Sequence, residues 1–472
     1  MIAAGAFAVQ GYHPGAEDAE IYLPGVEKIL NPRLFSANAE FFSAHAHLTL
    51  FPNLIAVSVR LSHLSLDRTL ILWQLASIFL LLLGCWKLSG LCFTDSRARW
   101  AGVALVGALL TLPVAGTALY VMDQYVNPRN LAAFAGIFAL ANVLERKFIR
   151  CALWLGFAGS VHPLMASFAA SLCALMVAMR AMERWEGRTA MAAGPLGNWL
   201  APATPAYHQA ALEHPFHYIL KWAWYEWLGI VGPIPILWWF GRMARKKGSE
   251  NLVRLCRGLI VYDLIYWAGA CVISIPARFE VLARLQPLRS LHLLYIVLIL
   301  VAGGFLGEYV LKDRIWRWAL LFIPLCAGMF VAQRALFPAS AHIEWTRADS
   351  KNQWAQAFDW IRGSTPEDAY FALDPRYSHV GGEDEQGFRA IAERSMMADA
   401  GKDSGAVSMF PGMAEKWWSQ VQVRQDWKQF QLPDFQQLHN RYDVTWVVVE
   451  QPGVTGLQCP YENRAVRVCR LD

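Results

Sequence analysis

The stretch LILWQLASIFLLLLGCWKLSGLCF, residues 70–93, decides the fold. It carries one charged side chain, Lys87, in a length that matches the roughly 20 apolar residues a helix needs to cross a bilayer. Runs of the same kind recur at residues 100–122, 130–144, 151–179, 222–240, 252–275, 288–307 and 315–331, so that eight spans are expected. The run at 130–144 is short. The run at 151–179 is long and is broken by His162-Pro163, where proline removes a helix hydrogen bond and permits a kink. Composition agrees, since 56% of the 472 residues are apolar and 17% are charged, against about 25% charged in the soluble average. The expected fold class is an α-helical polytopic membrane protein with a small C-terminal extramembrane α/β domain.

Sidedness follows from the connections. Arg97 and Arg99, then residues 145–150, then 242–247 with Arg254, then 312–317 are basic and alternate along the chain, which the positive-inside rule assigns to the cytoplasm. The loop at 10–67, the connections at 123–129 and 276–289, and the tail after Gln333 then fall together on the outer face. Arg180, Arg184 and Arg188 dissent, because this count leaves them outside. A helical hairpin within 151–179 would return them inside but would require one more crossing before Trp222, and the simple count is taken as the expectation. Residues 2–9 are apolar but too short to span, and read as the end of a first helix in a longer gene product, which would make nine spans. No basic residues precede them, as they would in a signal peptide.

Two units are therefore expected, a membrane domain at 1–335 that includes the acidic first outer loop, and an extramembrane domain at 336–472. Residues 201–227, rich in Trp, Tyr, His and Pro, are expected along the bilayer surface. In the tail, residues 352–362 have helical spacing, 365–368 form a turn, 369–373 read as a strand, 413–430 as a helix, and the β-branched run at 444–449 as a buried strand. Seven of the nine cysteines lie in or beside apolar runs and read as small core residues. Cys459 and Cys469 lie in the polar tail and would pair in an oxidising compartment.

The outer loop begins GYHPGAEDAEIY, residues 11–22, and places Glu17, Asp18 and Glu20 together just after the first apolar stretch. Such carboxylates serve as a general base or bind a divalent cation. They also suit the first turn of a helix, through its macrodipole. His13, before Pro14, is aimed at the same site or is structural. His45 and His47 could be joint metal ligands on a strand, although the residues after them read as an interfacial helix. Arg129 in YVNPR and Arg284 and Arg289 in RLQPLR stand on the face that should lack cations. They suit phosphate recognition or snorkelling to headgroups, and Gln286 lies between the last two. His162 is an ionisable residue inside a span, and so a functional candidate or a hydrogen-bonded kink.

This arrangement resembles the GT-C superfamily of membrane glycosyltransferases, which includes protein mannosyltransferases, aminoarabinose transferases and oligosaccharyltransferases. The likeness rests on the acidic pair Glu17-Asp18 in the first outer loop, spans of uneven length, arginines on the same face and an outer C-terminal domain. The resemblance implies a bacterial inner-membrane enzyme with its C-terminal domain in the periplasm. Such an enzyme moves a sugar from a polyprenyl-phosphate carrier to an acceptor hydroxyl by inverting displacement. It further implies Asp18 as the base, Glu17 orienting the acceptor or binding metal, Arg129 and Arg289 holding phosphate, and His13, Glu20, His162 and Gln286 contacting substrate. Some members use a divalent cation and others do not, so a cation is left open. The competing expectation is a non-enzymatic transporter or cell-envelope assembly scaffold in which Asp18 only starts a helix. No Walker motif, dinucleotide-binding glycine pattern or HExxH is present, and no continuous basic face for nucleic acid is visible.

Overall fold

The computed structural model describes residues 1–182, 203–274, 282–347 and 351–471. The opening stretch lies in a helix at Leu66–Cys92, started by Ser65, whose hydroxyl accepts the Arg68 N–H and so satisfies one of the orphan donors of the first turn. Five helices are long and apolar enough to cross a membrane: Leu66–Cys92, Pro163–Ala181, Glu250–Ser274, Leu282–Leu311 and Ile315–Leu336. Pro128–Leu144 and Phe148–Val161 are apolar but shorter. The protein is a multi-pass α-helical membrane protein with a C-terminal sheet domain.

Three expected spans are redrawn. The run at 100–122 is helical only in Ser96–Ala108. The chain then turns through Pro113, which has no N–H to continue a helix, and closes on itself by a bridge from Pro113 to Tyr120. The run at 222–240 divides at Gly232 into Trp224–Val231 and Pro233–Lys246, neither of spanning length.

The run at 151–179 breaks at His162 into Phe148–Val161 and Pro163–Met182. The carbonyl of Ser160, released near the break, accepts the Leu50 N–H at 2.7 Å. At the far end of the second helix the Arg180 guanidinium donates to the carbonyls of Val143 and Leu144, at 3.1 and 2.9 Å. These carbonyls lie in the last turn of Pro128–Leu144, just ahead of Glu145. The two helices are therefore the legs of a hairpin, and Arg180 lies at the same end of the bundle as the basic 145–150 connection. This corrects the simple count, while Arg184 and Arg188 lie outside the described residues. Lys87–Glu145 at 3.2 Å, Arg97–Asp313 and Lys247–Glu308 are ion pairs of that same end.

The opposite end carries everything else. Residues 2–9 lie in the helix Ile2–Gln10, whose Gln10 amide donates to the Ala108 carbonyl at 2.7 Å. Gly11, at φ +80°, turns the chain where an added Cβ would meet the His342 carbonyl at 2.8 Å. The outer loop is folded as helices Ala19–Leu30, Glu40–Leu48 and Phe51–Ser62.

The C-terminal domain has strands β1 (Tyr370–Ala372), β2 (Ser395–Met396), β3 (Trp446–Glu450), β4 (Gln458–Glu462) and β5 (Val466–Arg470), in the order β2-β1-β3-β5-β4. β1 pairs in parallel with β2 and β3, and β5 pairs antiparallel with β3 and β4, with Val448 opposite Val468. Helix Gln353–Ser364 covers one face, with Phe358, Phe371, Phe388 and Val448 fully buried between. The expected helix at 413–430 is continuous only over Ala414–Gln422. Cys459 and Cys469 form a disulfide that ties β4 to β5. Of the segment expected along the bilayer surface, helix Pro205–Leu212 packs on this domain, with the Tyr207 hydroxyl donating to the Ser408 carbonyl at 3.2 Å, while Ile219 and Trp222 pack into the helix bundle.

Candidate active site

The outer loop and the C-terminal domain are stitched together at the acidic pair. Tyr12 bridges to Ile343 and Ala16 to Gln386, and the Gly387 N–H donates to the Gly15 carbonyl at 2.7 Å. Glu17 follows at φ +58°, a left-handed conformation that is strained for a glutamate. Its N–H is held by the Glu385 carbonyl at 2.8 Å. Asp18 begins helix Ala19–Leu30, as the helix-start reading expected, and its N–H donates to the Tyr125 hydroxyl at 3.2 Å.

Cations meet the pair from two directions. Asn127 caps helix Pro128–Leu144 by accepting the Asn130 N–H at 2.9 Å, which sets Arg129 in the first turn. The buried Arg129 donates to Asp18 Oδ2 at 2.8 Å and to Asp123 Oδ2 at 3.1 Å. Lys402 comes from the C-terminal domain. Its Nζ lies 3.3 Å from Glu17 Oε2, 3.4 Å from Asp18 Oδ1 and 3.5 Å from Glu385 Oε2. The lysine's own loop is rigid, because its N–H donates to Asp399 Oδ1 at 2.6 Å and the next residue, Asp403, accepts from Arg389 at 2.7 and 2.9 Å.

These groups wall a cavity of about 250 Å³ lined by Glu17, Asp18, Tyr22, His45, Arg129, His214, His217, Gln286, Arg289 and Lys402, among others. Gln286 enters it at φ +45°, with a buried Oε1 that has no hydrogen-bond partner among the described residues. The half-buried Arg289 is the notable member, since its guanidinium makes no hydrogen bond or ion pair among the described residues and its Nε is buried. An unpaired cation in a cavity is an anion site in waiting.

The two carboxyls differ. Burial pushes Glu17 up to about 8, aided by the nearby Glu385 and Asp18 carboxylates and only partly offset by Lys402. At Asp18 burial also opposes ionisation, but the Lys402 and Arg129 cations outweigh it and hold the carboxyl well below the usual carboxylate range. Burial also lowers the imidazoles, His214 to about 4 and His217 well below its ordinary value. They face the cavity as neutral donors or acceptors, and His214 Nε2 lies 3.0 Å from the Ser404 hydroxyl.

Of the residues expected from sequence, Glu17, Asp18, Arg129, Gln286 and Arg289 converge on the cavity, and His13, Glu20 and His162 are not among its lining. His13 is buried, stacked on Phe337 at 3.9 Å and 3.8 Å from Glu344. Glu20 is buried against Arg389, accepting its backbone N–H at 2.7 Å and its guanidinium at 3.2 Å. His162 sits at the hairpin break, where Nδ1 accepts the Met165 N–H at 3.4 Å. Arg129 is paired with two carboxylates, Asp18 and Asp123, and holds Asp18 in place. His45 and His47 lie two positions apart on a helix and point to different faces, so only His45 reaches the cavity.

Lys402, His214 and His217 also line the cavity, and no motif in the sequence singles them out. Lys402 is 384 positions from Asp18, and GKDSG, residues 401–405, has no spacing that signals a site.

A divalent cation between the carboxylates does not fit this arrangement, because the Lys402 ammonium already lies within 3.5 Å of all three and like charges at that range repel strongly. Among the described residues no group of three or more His, Cys, Asp or Glu side chains is arranged to hold a metal.

No family model matches this chain, and no curated protein matches it. Among solved structures, it aligns with the apo form of the oligosaccharyltransferase of Archaeoglobus fulgidus at 11% identity and a TM-score of 0.44, over 95% of this chain and 68% of that one. It aligns equally with the archaeal oligosaccharyltransferase AglB of the same organism in complex with an inhibitory peptide and a dolichol-phosphate, at 12% identity, a TM-score of 0.44 and the same coverage.

Proposed function

We propose that this protein is a membrane glycosyltransferase that moves a sugar from a polyprenyl-phosphate carrier to an acceptor hydroxyl on the outer face of its membrane. The observation that carries this reading is the unpaired Arg289 guanidinium sharing one cavity with the Glu17–Asp18 pair. A base and a phosphate-binding cation at one site are what displacement of a lipid phosphate needs. Arg289 enters on the first turns of the apolar stretch Leu282–Leu311, which suits a phosphate whose lipid tail stays in the bilayer.

In this reaction a carboxylate takes the proton of the acceptor hydroxyl as its oxygen bonds to the anomeric carbon. The bond from that carbon to the phosphate oxygen breaks, and the electron pair leaves on the phosphate, beside Arg289. Attack opposite the leaving group inverts the configuration. We assign the base to Glu17 rather than Asp18. Both Asp18 oxygens already face cations, whereas Glu17 has one oxygen turned to Lys402 and a carboxyl basic enough to take a proton near neutral pH. Asp18 then holds charge and orients the acceptor.

Sidedness is part of the proposal. The Cys459–Cys469 disulfide suits an oxidising compartment, and the basic connections at the opposite end suit the cytoplasm. Both favour a bacterial inner membrane with the C-terminal domain in the periplasm.

The test is turnover by purified protein of a polyprenyl-phosphate-linked sugar with a hydroxyl acceptor. Transfer is expected to fall by about 10²–10⁴-fold in Glu17→Gln, with membrane insertion intact. Full transfer by that variant and by Asp18→Asn would remove the acidic pair from the reaction, and no transfer by the wild type would return the protein to the scaffold or transporter reading.

A further inference from the structure

The geometry points to Lys402 as the resident cation of the acidic site, an ammonium that takes the place a divalent metal would otherwise hold between Glu17, Asp18 and Glu385. Three carboxylates from two parts of the chain surround one Nζ at 3.3, 3.4 and 3.5 Å. Carboxylate oxygens are the donors that calcium or magnesium selects, but at about 2.0–2.6 Å, and the spacing here is that of an ammonium. Here the charge at its centre belongs to the protein itself. It is delivered on a rigid turn, since the backbone of Lys402 is pinned to Asp399 and that turn is clamped through Asp403 to Arg389 and on to Glu20.

The clamp has a consequence for the site. Glu20, two residues beyond Asp18, and Asp403, one residue beyond Lys402, grip the same guanidinium, so the acidic pair and its cation are set in register by a single buried arginine. An ammonium has three donors, one for each carboxylate. Removing it leaves the three carboxyl groups with one fewer cation, which favours metal uptake.

This inference rests on the Glu17–Asp18 pair being the reaction centre, but its test does not need the sugar donor. Manganese binding to the purified full-length protein is measured by electron paramagnetic resonance, at manganese concentrations up to the millimolar range. The wild type is expected to bind no manganese that Asp18→Asn removes. Lys402→Met, which keeps the chain length, is expected to gain one saturable site that is lost again when Glu17→Gln is added. Lys402→Arg, which keeps the charge, is expected to gain none. The inference is overturned if the wild type binds manganese in a way that Asp18→Asn abolishes, or if Lys402→Met keeps its melting temperature and gains no site. Should Lys402→Met fail to fold, the wild-type measurement and Lys402→Arg still decide. If the sugar-transfer reading fails while the manganese results hold, the cation assignment stands alone.

Discussion

At the scale of single residues, the site separates two arginines that look alike in sequence. Arg129 and Arg289 both break the expected charge bias of the outer face, yet Arg129 is bound by Asp18 and Asp123 and Arg289 has no partner among the described residues. Arg289→Lys is expected to weaken donor binding and raise KM by about tenfold, because an ammonium cannot reproduce a bidentate contact with phosphate. Arg129→Lys is expected to lower kcat, by releasing Asp18. Steady-state kinetics with varied donor separate the two. The Glu17 carboxyl gives a pH signature. With its value raised to about 8, the proton-accepting form is the minority below that pH, so kcat/KM is expected to rise about tenfold per pH unit on the acid side and to level off above about 8. A profile flat through that range would put the base elsewhere. His13 and Glu20, expected as substrate contacts, lie outside the cavity lining, one stacked on Phe337 and the other paired with Arg389.

At the scale of elements, the hairpin of Phe148–Val161 and Pro163–Met182 is the informative case. Hydropathy reads the pair as one long span, because apolar character is continuous across the break. The Pro163 signal was visible, but a kink and a reversal look the same in sequence. The bond from Arg180 to the end of Pro128–Leu144 distinguishes them. A cysteine placed at Arg146, at that end of the bundle, and one placed at Arg464, in the C-terminal domain, are expected to react with membrane-impermeant maleimide from opposite faces of sealed vesicles. Labelling of both from one face would undo the topology and the catalytic proposal with it. The runs at 100–122 and 222–240 are interrupted for a related reason, since Pro113 keeps the helix that stops at Ala108 from resuming and Pro233 interrupts the second, where average hydropathy carries straight through.

At the scale of the whole molecule, the cavity exists because the C-terminal domain is seated on the outer loop. Arg389 joins Glu20 of the loop to Asp403 of the domain, and Arg347 joins Glu27 and Asp67 to Glu393. Arg389→Met leaves two carboxylates buried without their cation, a loss of about 3–5 kcal/mol. A lower melting temperature together with loss of transfer is expected, although Arg389 does not line the cavity. Unchanged stability would mean that the domain is held by other contacts.

The sequence by itself determined the membrane class, the positions of most spans, the α/β character of the tail, the Cys459–Cys469 pairing option, and the acidic pair with arginines on the same face. Those features are local: lipid selects apolar segments one at a time, and a β-branched run or a proline acts on its own neighbours. Only the tertiary structure decided that the long span at 151–179 is a hairpin, that Arg289 and not Arg129 is free, and that Lys402 sits among Glu17, Asp18 and Glu385. Each of those depends on which charges come within a few ångströms of one another, and that distance is set by packing between segments hundreds of residues apart rather than by any pattern within one of them.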